Sequence, residues 1–450
     1  MNLKKGLLLL LMISTLIFTL ASCGDNDDKA IDNLPTKTLN VYNWGEYISD
    51  EDDPESGLID VNAAFEKYFK DNLASKYGYK VKVNYSTYAT NEDMYAKITN
   101  SEVSYDIVIP SDYMIEKMIS EGLLKPIDKT KLTNYSNIDQ SFINPYYDPE
   151  SQYSVPYTYG MLGVIYNSEF VRPNEEEDVI NESWDLLWNP KYEGKILQFN
   201  NPRDAFATAM YRAGLDINSS NPDDWDKALT YLQEQKPLLQ GYVNDEIFNK
   251  MKGASAYIAP YYAGDFLTMA AANNDLRFYY PNEGTNYFVD AMCIPFTSKD
   301  EKYDLVHAYI DFMISEEAAI SNALYIGYAS PNTKVTGSAY YKEKLSYNYD
   351  TDEISAWDIL YGKTVGEVTA NYKFNPAYKN YYKDDKIDIQ AHVISLWETL
   401  KTQNSTEPWI HVTSIAIVVG VLSLATYSVY IKKKRSRDYR MRDKMKQAKK

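Results

Sequence analysis

From Leu39 to about Ile294 the chain alternates short runs patterned for strands with longer runs patterned for helices. That alternation restricts it to an α/β architecture with a mainly parallel sheet. Strands are expected over Leu39–Trp44, Lys80–Ser86, Tyr105–Pro110, Lys195–Phe199, Ala254–Ala259 and Phe288–Pro295. Between the first two, Val61, Ala64, Phe65, Tyr68 and Phe69 recur at helical spacing and make one apolar face. Asn201-Pro202-Arg203-Asp204 has the order of a helix start, with an amide cap, proline at the first position and an acid in the first turn. That helix is expected to reach about Ala213. After Pro295 the pattern is mostly helical, over Tyr303–Met313, Glu316–Ala323 and Ile389–Lys401.

The ends of the chain differ from this middle. Lys4 and Lys5 precede an uncharged apolar run from Gly6 to Leu20, followed by Ala21-Ser22-Cys23-Gly24. The run is shorter than the ~20 residues a membrane helix needs and reads as a signal peptide over 1–22. Leu20-Ala21-Ser22-Cys23 resembles a bacterial lipobox, which implies lipidation of Cys23 and a tether over 23–37. At the other end, residues 412–431 carry no charge and are followed by Lys432-Lys433-Lys434-Arg435. Twenty residues span about 30 Å as a helix, which predicts a transmembrane helix over 412–431 with a basic cytoplasmic tail over 432–450. Both ends then place the body between them on the extracytoplasmic face of the cell membrane, held at Cys23, by the C-terminal helix, or by both.

Charge narrows the function. Outside residues 1–22 and 432–450 the chain holds 33 basic against 61 acidic side chains. Such a surface repels phosphate backbones and suits cationic partners, so nucleic-acid binding is not expected. The sequence has no Gly-x-Ser-x-Gly, His-Glu-x-x-His, Cys-x-x-Cys or Gly-x-Gly-x-x-Gly. Two cysteines and three histidines leave little for a metal site. His307 sits in a helical pattern with Val306 and Ile310 and reads as structural, and Cys293 reads as a buried strand residue. No catalytic group, metal site or cofactor is expected.

Several segments share an order. They include Leu39-Asn40-Val41-Tyr42-Asn43-Trp44-Gly45-Glu46-Tyr47, Asn91-Glu92-Asp93-Met94-Tyr95, Tyr105-Asp106-Ile107-Val108-Ile109-Pro110-Ser111, Val155-Pro156-Tyr157-Thr158-Tyr159-Gly160, Val289-Asp290-Ala291-Met292 and Gly327-Tyr328-Ala329-Ser330-Pro331-Asn332. Over residues 38 to about 400 the chain resembles the spermidine/putrescine-binding proteins of polyamine ABC transporters. The resemblance implies the two-lobed periplasmic-binding-protein fold (type II), with lobe 1 over 38–155 and 291–330 and lobe 2 over 156–290 and 331–405. It also implies a monomeric receptor that delivers polyamine to ABC permease subunits driven by a cytoplasmic ATPase.

A polyamine is a flexible methylene chain carrying ammonium groups, so its site needs carboxylates and aromatic faces. The positions matching the family's pocket are Trp44, Glu46, Tyr47, Ser111, Tyr113, Asp204, Tyr262, Phe288, Asp290 and Tyr328. Glu46 and Asp290 interrupt aromatic or apolar strand ends, where open α/β sheets bind ligands. Asn201 stands where family members often have Asp, and Phe288 replaces a Trp. Three acids, Glu46, Asp204 and Asp290, incline the site toward spermidine over putrescine. Two alternatives stand beside this reading: a receptor for another cationic solute such as thiamine, and a membrane-tethered polyamine sensor.

Overall fold

The computed structural model describes residues 31–100, 103–172, 181–362, 374–376 and 389–402. Cys23, the signal peptide, the 412–431 segment and the basic tail lie outside them. Among the described residues no helix is long and apolar enough to cross a membrane.

Lobe 1 is built on β1 (Thr36–Trp44), which pairs in parallel with β2 (Lys80–Tyr88) on one side and β3 (Ile107–Val108) on the other. Leu39, Val41, Ile107 and Val108 are fully buried, because helices cover both faces of a parallel sheet. Helix Val61–Asn72 covers one face. Asp60 caps it by accepting from the Ala63 amide at 2.9 Å, and Val61, Phe65 and Phe69 point inward. Phe65 meets Tyr309 and Phe312 of helix Tyr303–Met313, with ring centroids 4.9 and 5.5 Å apart. The expected face is thus present, except that Tyr68 is 39% exposed at its rim. β4 (Leu124–Lys125) extends the sheet beside a later strand.

In lobe 2, β6 (Ile196–Phe199) lies in parallel between β7 (Leu239–Val243) and β8 (Ile258–Tyr262). Its core is filled by Phe206, Trp225 and Phe266, all fully buried. The strand expected at Ala254–Ala259 begins later, because Ala254 has a φ of 50° and is still turning after helix Glu246–Lys252.

Two strands join the lobes. β5 (Ser154–Asn167) pairs antiparallel through its first half with β10 (Thr285–Pro295), and through its second half with β8 and β9 (Leu276–Tyr279). β10 in turn reaches β3 through Cys293 and Val108, and β4 through Ile294 and Pro295. The result is a mixed two-lobed α/β fold of the periplasmic-binding-protein kind. The register of β5 and β10 slips at Asp290 and Ala291: Asp290 faces Thr158 and Ala291 faces Pro156, leaving Tyr157 as the extra residue. A bulge of this type re-aims side chains and breaks the ladder, and Pro156 has no amide to pair there. Helix Ala339–Tyr349 then packs against helices Glu316–Ile326 and Ala263–Ala270, one from each lobe.

Candidate functional site

The carboxyl ends of β1, β2, β6, β7 and β8 all open onto one cavity of about 190 Å³ between the lobes. This is where open α/β sheets leave room, because the loops after the strands diverge there. All ten expected residues line it.

From lobe 1, Trp44 ends β1 with its indole N–H donating to the Ile109 carbonyl at 3.0 Å and its ring tilted against Tyr88 at 4.7 Å. Two residues on, Glu46 adopts a φ of 51°, a left-handed conformation that costs energy in a residue with a Cβ. It holds the exposed carboxylate at the cavity mouth, where Tyr325 donates to it at 3.3 Å. Tyr47 is buried and donates its hydroxyl to Asp290 Oδ2 at 2.6 Å, with a 2.8 Å hydrogen bond to the Thr158 hydroxyl alongside. Ser111 precedes helix Asp112–Ser120 and pairs by a backbone bridge with Asp290. Asn91 donates to the Ser111 hydroxyl at 3.0 Å and to the Tyr113 hydroxyl at 2.6 Å, fixing both.

From lobe 2, helix Pro202–Arg212 starts as expected, with Asn201 Oδ1 accepting from the Asp204 amide at 2.8 Å. The same Asn201 donates through Nδ2 to Asp204 Oδ2 at 3.0 Å, and Tyr262 donates to that oxygen at 2.6 Å. Phe288 stands edge-on to Tyr262 at 5.4 Å and to Tyr328 at 6.0 Å. Tyr328 stands edge-on to Tyr47 at 5.5 Å and donates to Asp265 at 2.9 Å.

Asp265, Asp245, Glu92, Asn91, Asn286 and Arg203 also line the cavity and were not expected there. Asp265 had a readable signal, since it follows the aromatic strand end Tyr262 by three residues, much as Glu46 and Asp290 follow Trp44 and Phe288 by two. Among the described residues, six carboxylates (Glu46, Glu92, Asp204, Asp245, Asp265 and Asp290) therefore share the lining with one cation, the Arg203 guanidinium.

Burial raises the carboxyl pKa of Asp265 to about 7 and that of Asp290 to about 6, and it raises those of Asp204 and Asp245 as well. Removing a carboxylate from water disfavours its charge, and the tyrosine hydrogen bonds only partly offset this. Two buried acceptors in the wall, Oδ1 of Asp290 and Oδ1 of Asn286, take no hydrogen bond of good geometry among the described residues. Unpaired buried acceptors are costly, and an ammonium group brings up to three donors to such a place.

By its class, then, this is a solute receptor: two α/β lobes on a two-strand hinge, with an acidic, aromatic cleft between them. A family model described as "Bacterial extracellular solute-binding protein" matches residues 63–346. The spermidine/putrescine-binding periplasmic protein of Escherichia coli (strain K12) is 31% identical over 296 residues, spanning 66% of this chain and 78% of that one. Among solved structures, a putative spermidine/putrescine ABC transporter from Listeria monocytogenes is 30% identical with a TM-score of 0.64, covering 82% of this chain and 99% of that one. The spermidine/putrescine ABC transporter substrate-binding protein of Streptococcus pneumoniae is 29% identical with a TM-score of 0.58, covering 81% and 98%. The chain belongs to the bacterial extracellular solute-binding protein family.

Proposed function

We propose that this chain captures a polyamine outside the cytoplasm and presents it to the permease of an ABC importer. The observation that carries the reading is the cleft, in which, among the described residues, six carboxylates and the rings of Trp44, Tyr262, Phe288 and Tyr328 surround about 190 Å³ with one guanidinium among them. Carboxylates form charge-assisted hydrogen bonds with ammonium groups. Aromatic faces hold both the ammonium and the methylenes between, at ~0.5–2 kcal/mol for each cation–π contact. Asp290, with Tyr47 on one oxygen and nothing well placed on the other, is assigned as one ammonium seat. Asp204 with Tyr262, and Asp265 with Tyr328, are assigned as others, and Glu46 guards the mouth. Asp265 supplies a fourth strong candidate seat, so the count of acids no longer favours spermidine over putrescine. The protein acts by binding and closure, with no chemical step.

The division into lobe 1 (38–155 with 291–330) and lobe 2 (156–290 with 331–405) draws support from β5, which leaves β10 for β8 between Met161 and Leu162, a few residues beyond the first of these bounds. Closure about β5 and β10 is the expected motion. Attachment through Cys23, through residues 412–431, or both, would hold the receptor beside its permease.

Calorimetric titration of the full-length chain in detergent with spermidine, putrescine and thiamine tests the reading, repeated with Asp290→Asn. Micromolar or tighter polyamine binding, weakened at least tenfold in the variant, is expected. Thiamine binding without polyamine binding would assign the cleft to a different cationic solute.

A further inference from the structure

One cation in the cleft belongs to the protein itself. Arg203 is only 5% exposed, although it lies in the first turn of helix Pro202–Arg212 at the cavity wall. Its guanidinium carbon sits 3.4 Å from the ring centroid of Tyr113, and its Nη1 pairs with Glu92 Oε1 at 3.0 Å. Arg203 comes from lobe 2, whereas Glu92 and Tyr113 come from helices Asn91–Asn100 and Asp112–Ser120 of lobe 1. An aromatic face on one side and a carboxylate on the other is the arrangement that receives a free ammonium or guanidinium ligand. Asn91 fixes this seat too, since its side chain donates to the Tyr113 hydroxyl at 2.6 Å.

We propose that Arg203 is a tethered cation that fills the Glu92–Tyr113 seat from within, and that it thereby limits how many ammonium groups the cleft accepts. This rests on the polyamine reading and deepens it by naming a specificity-determining residue. With the seat occupied, the carboxylates left for ligand are Glu46, Asp204, Asp245, Asp265 and Asp290, and each further amine of a longer polyamine meets the guanidinium as a like charge. The same contacts bridge the lobes, so removing Arg203 has two separable consequences. Loss of the bridge weakens every ligand by a common factor. Vacating the seat changes the ratio between ligands, in favour of those with more amines.

The test is titration of the full-length chain and of Arg203→Gln and Arg203→Lys with putrescine, spermidine and spermine, with melting temperatures recorded for each protein. The expected result is that Arg203→Gln raises the affinity for spermine relative to putrescine at least tenfold. Arg203→Lys, which keeps a cation over Tyr113, should retain the original ratio even if Arg203→Gln proves unstable. Adding Glu92→Gln to Arg203→Gln should abolish the gain, because the vacated seat then has no charge to offer. A uniform loss for all three ligands in Arg203→Gln, or a ratio that shifts as much in Arg203→Lys, would overturn the proposal and leave Arg203 as a bridge alone. If the unmodified chain binds none of the three polyamines, the parent reading fails and this one falls with it.

Discussion

At the scale of single residues, the position of Tyr328 depends on having no side chain at Gly264. A Cβ built there would lie 1.7 Å from Tyr328 Cδ1 and 2.8 Å from the Gly327 carbonyl oxygen. The ring cannot stay where it is, and the opposing backbone oxygen leaves little room for a compensating shift. Gly264→Ala should therefore move Tyr328 away from Asp265 and from the cavity. Overpacking of this kind typically costs ~1–3 kcal/mol. The expected outcome is a lower melting temperature and polyamine affinity reduced at least tenfold; unchanged titration curves would show that Tyr328 does not line the ligand. Gly160 makes the same provision for Phe288, whose Cζ would be 2.6 Å from a Cβ at that position. These supporting glycines were invisible in the sequence, because the need for them arises from a ring on another element. Glu46 and Asp290 were legible as acids interrupting aromatic or apolar strand ends, whereas their convergence with Trp44 and Tyr47 was legible only through the family resemblance. Asp265 was less legible, because an acid in the first turn of a helix is favourable with the helix dipole whatever the ligand.

At the scale of elements, the helix starting at Asn201 shows how local chemistry and site geometry are shared by one side chain. Its oxygen caps the helix while its nitrogen holds Asp204 Oδ2. Asn201→Ala removes both roles and should cost ~1 kcal/mol of stability from the cap alone. Denaturant titration should show a lowered midpoint at unchanged slope, and polyamine affinity should fall with it as Asp204 loses its orientation. Retained affinity would mean that Tyr262 alone fixes that carboxylate. Helix Pro202–Arg212 could be read at nearly its true ends from its Asn201 cap and first-turn proline, and helix Tyr303–Met313 from its apolar periodicity alone. The 14-residue β5 could not. It is buried on both faces, so it lacks the alternation that marks a half-exposed strand, and Pro156, Gly160 and Gly163 read as breakers. Each of the three has a tertiary cause: the bulge opposite Asp290 for Pro156, Phe288 over Gly160, and Phe278 over Gly163, where a Cβ would come within 2.2 Å. The hinge was thus the least readable element for the same reason that it carries the site, since it is shaped by partners distant in sequence.

For the whole molecule, the cleft links ligand affinity, stability and pH. Asp290 and Asp265 have carboxyl pKa values raised by burial from 3.8 to about 6 and about 7. A group whose folded pKa lies above its unfolded value binds more protons in the folded state across the interval between the two, so stability falls as pH rises through it. The contribution of these two groups to the stability of the empty protein should therefore fall from about pH 4 to pH 7, by about 3 kcal/mol for Asp290 on an order-of-magnitude basis. The two primary amines of putrescine, with pKa values near 10, stay charged throughout this range, so the pH dependence of putrescine binding belongs to the protein. A bound ammonium stabilises the ionised carboxylates, and complex formation must release the protons they held. Polyamine affinity should then rise at least tenfold between pH 5 and pH 8 and level off above about pH 8. Calorimetry in two buffers of different ionisation enthalpy should count net proton release near pH 6 and little at pH 8. Asp265→Asn should remove the upper part of the rise and leave the part nearer pH 6. Because ligand stabilises the folded state in proportion to the logarithm of its concentration over Kd, the ligand-induced increase in melting temperature should grow with pH while the contribution of these two groups to the melting temperature of the empty protein falls. An affinity that is flat from pH 5 to pH 8, with no protons released, would mean that these carboxylates are already ionised in the empty cleft. Burial would then not be the dominant influence on them.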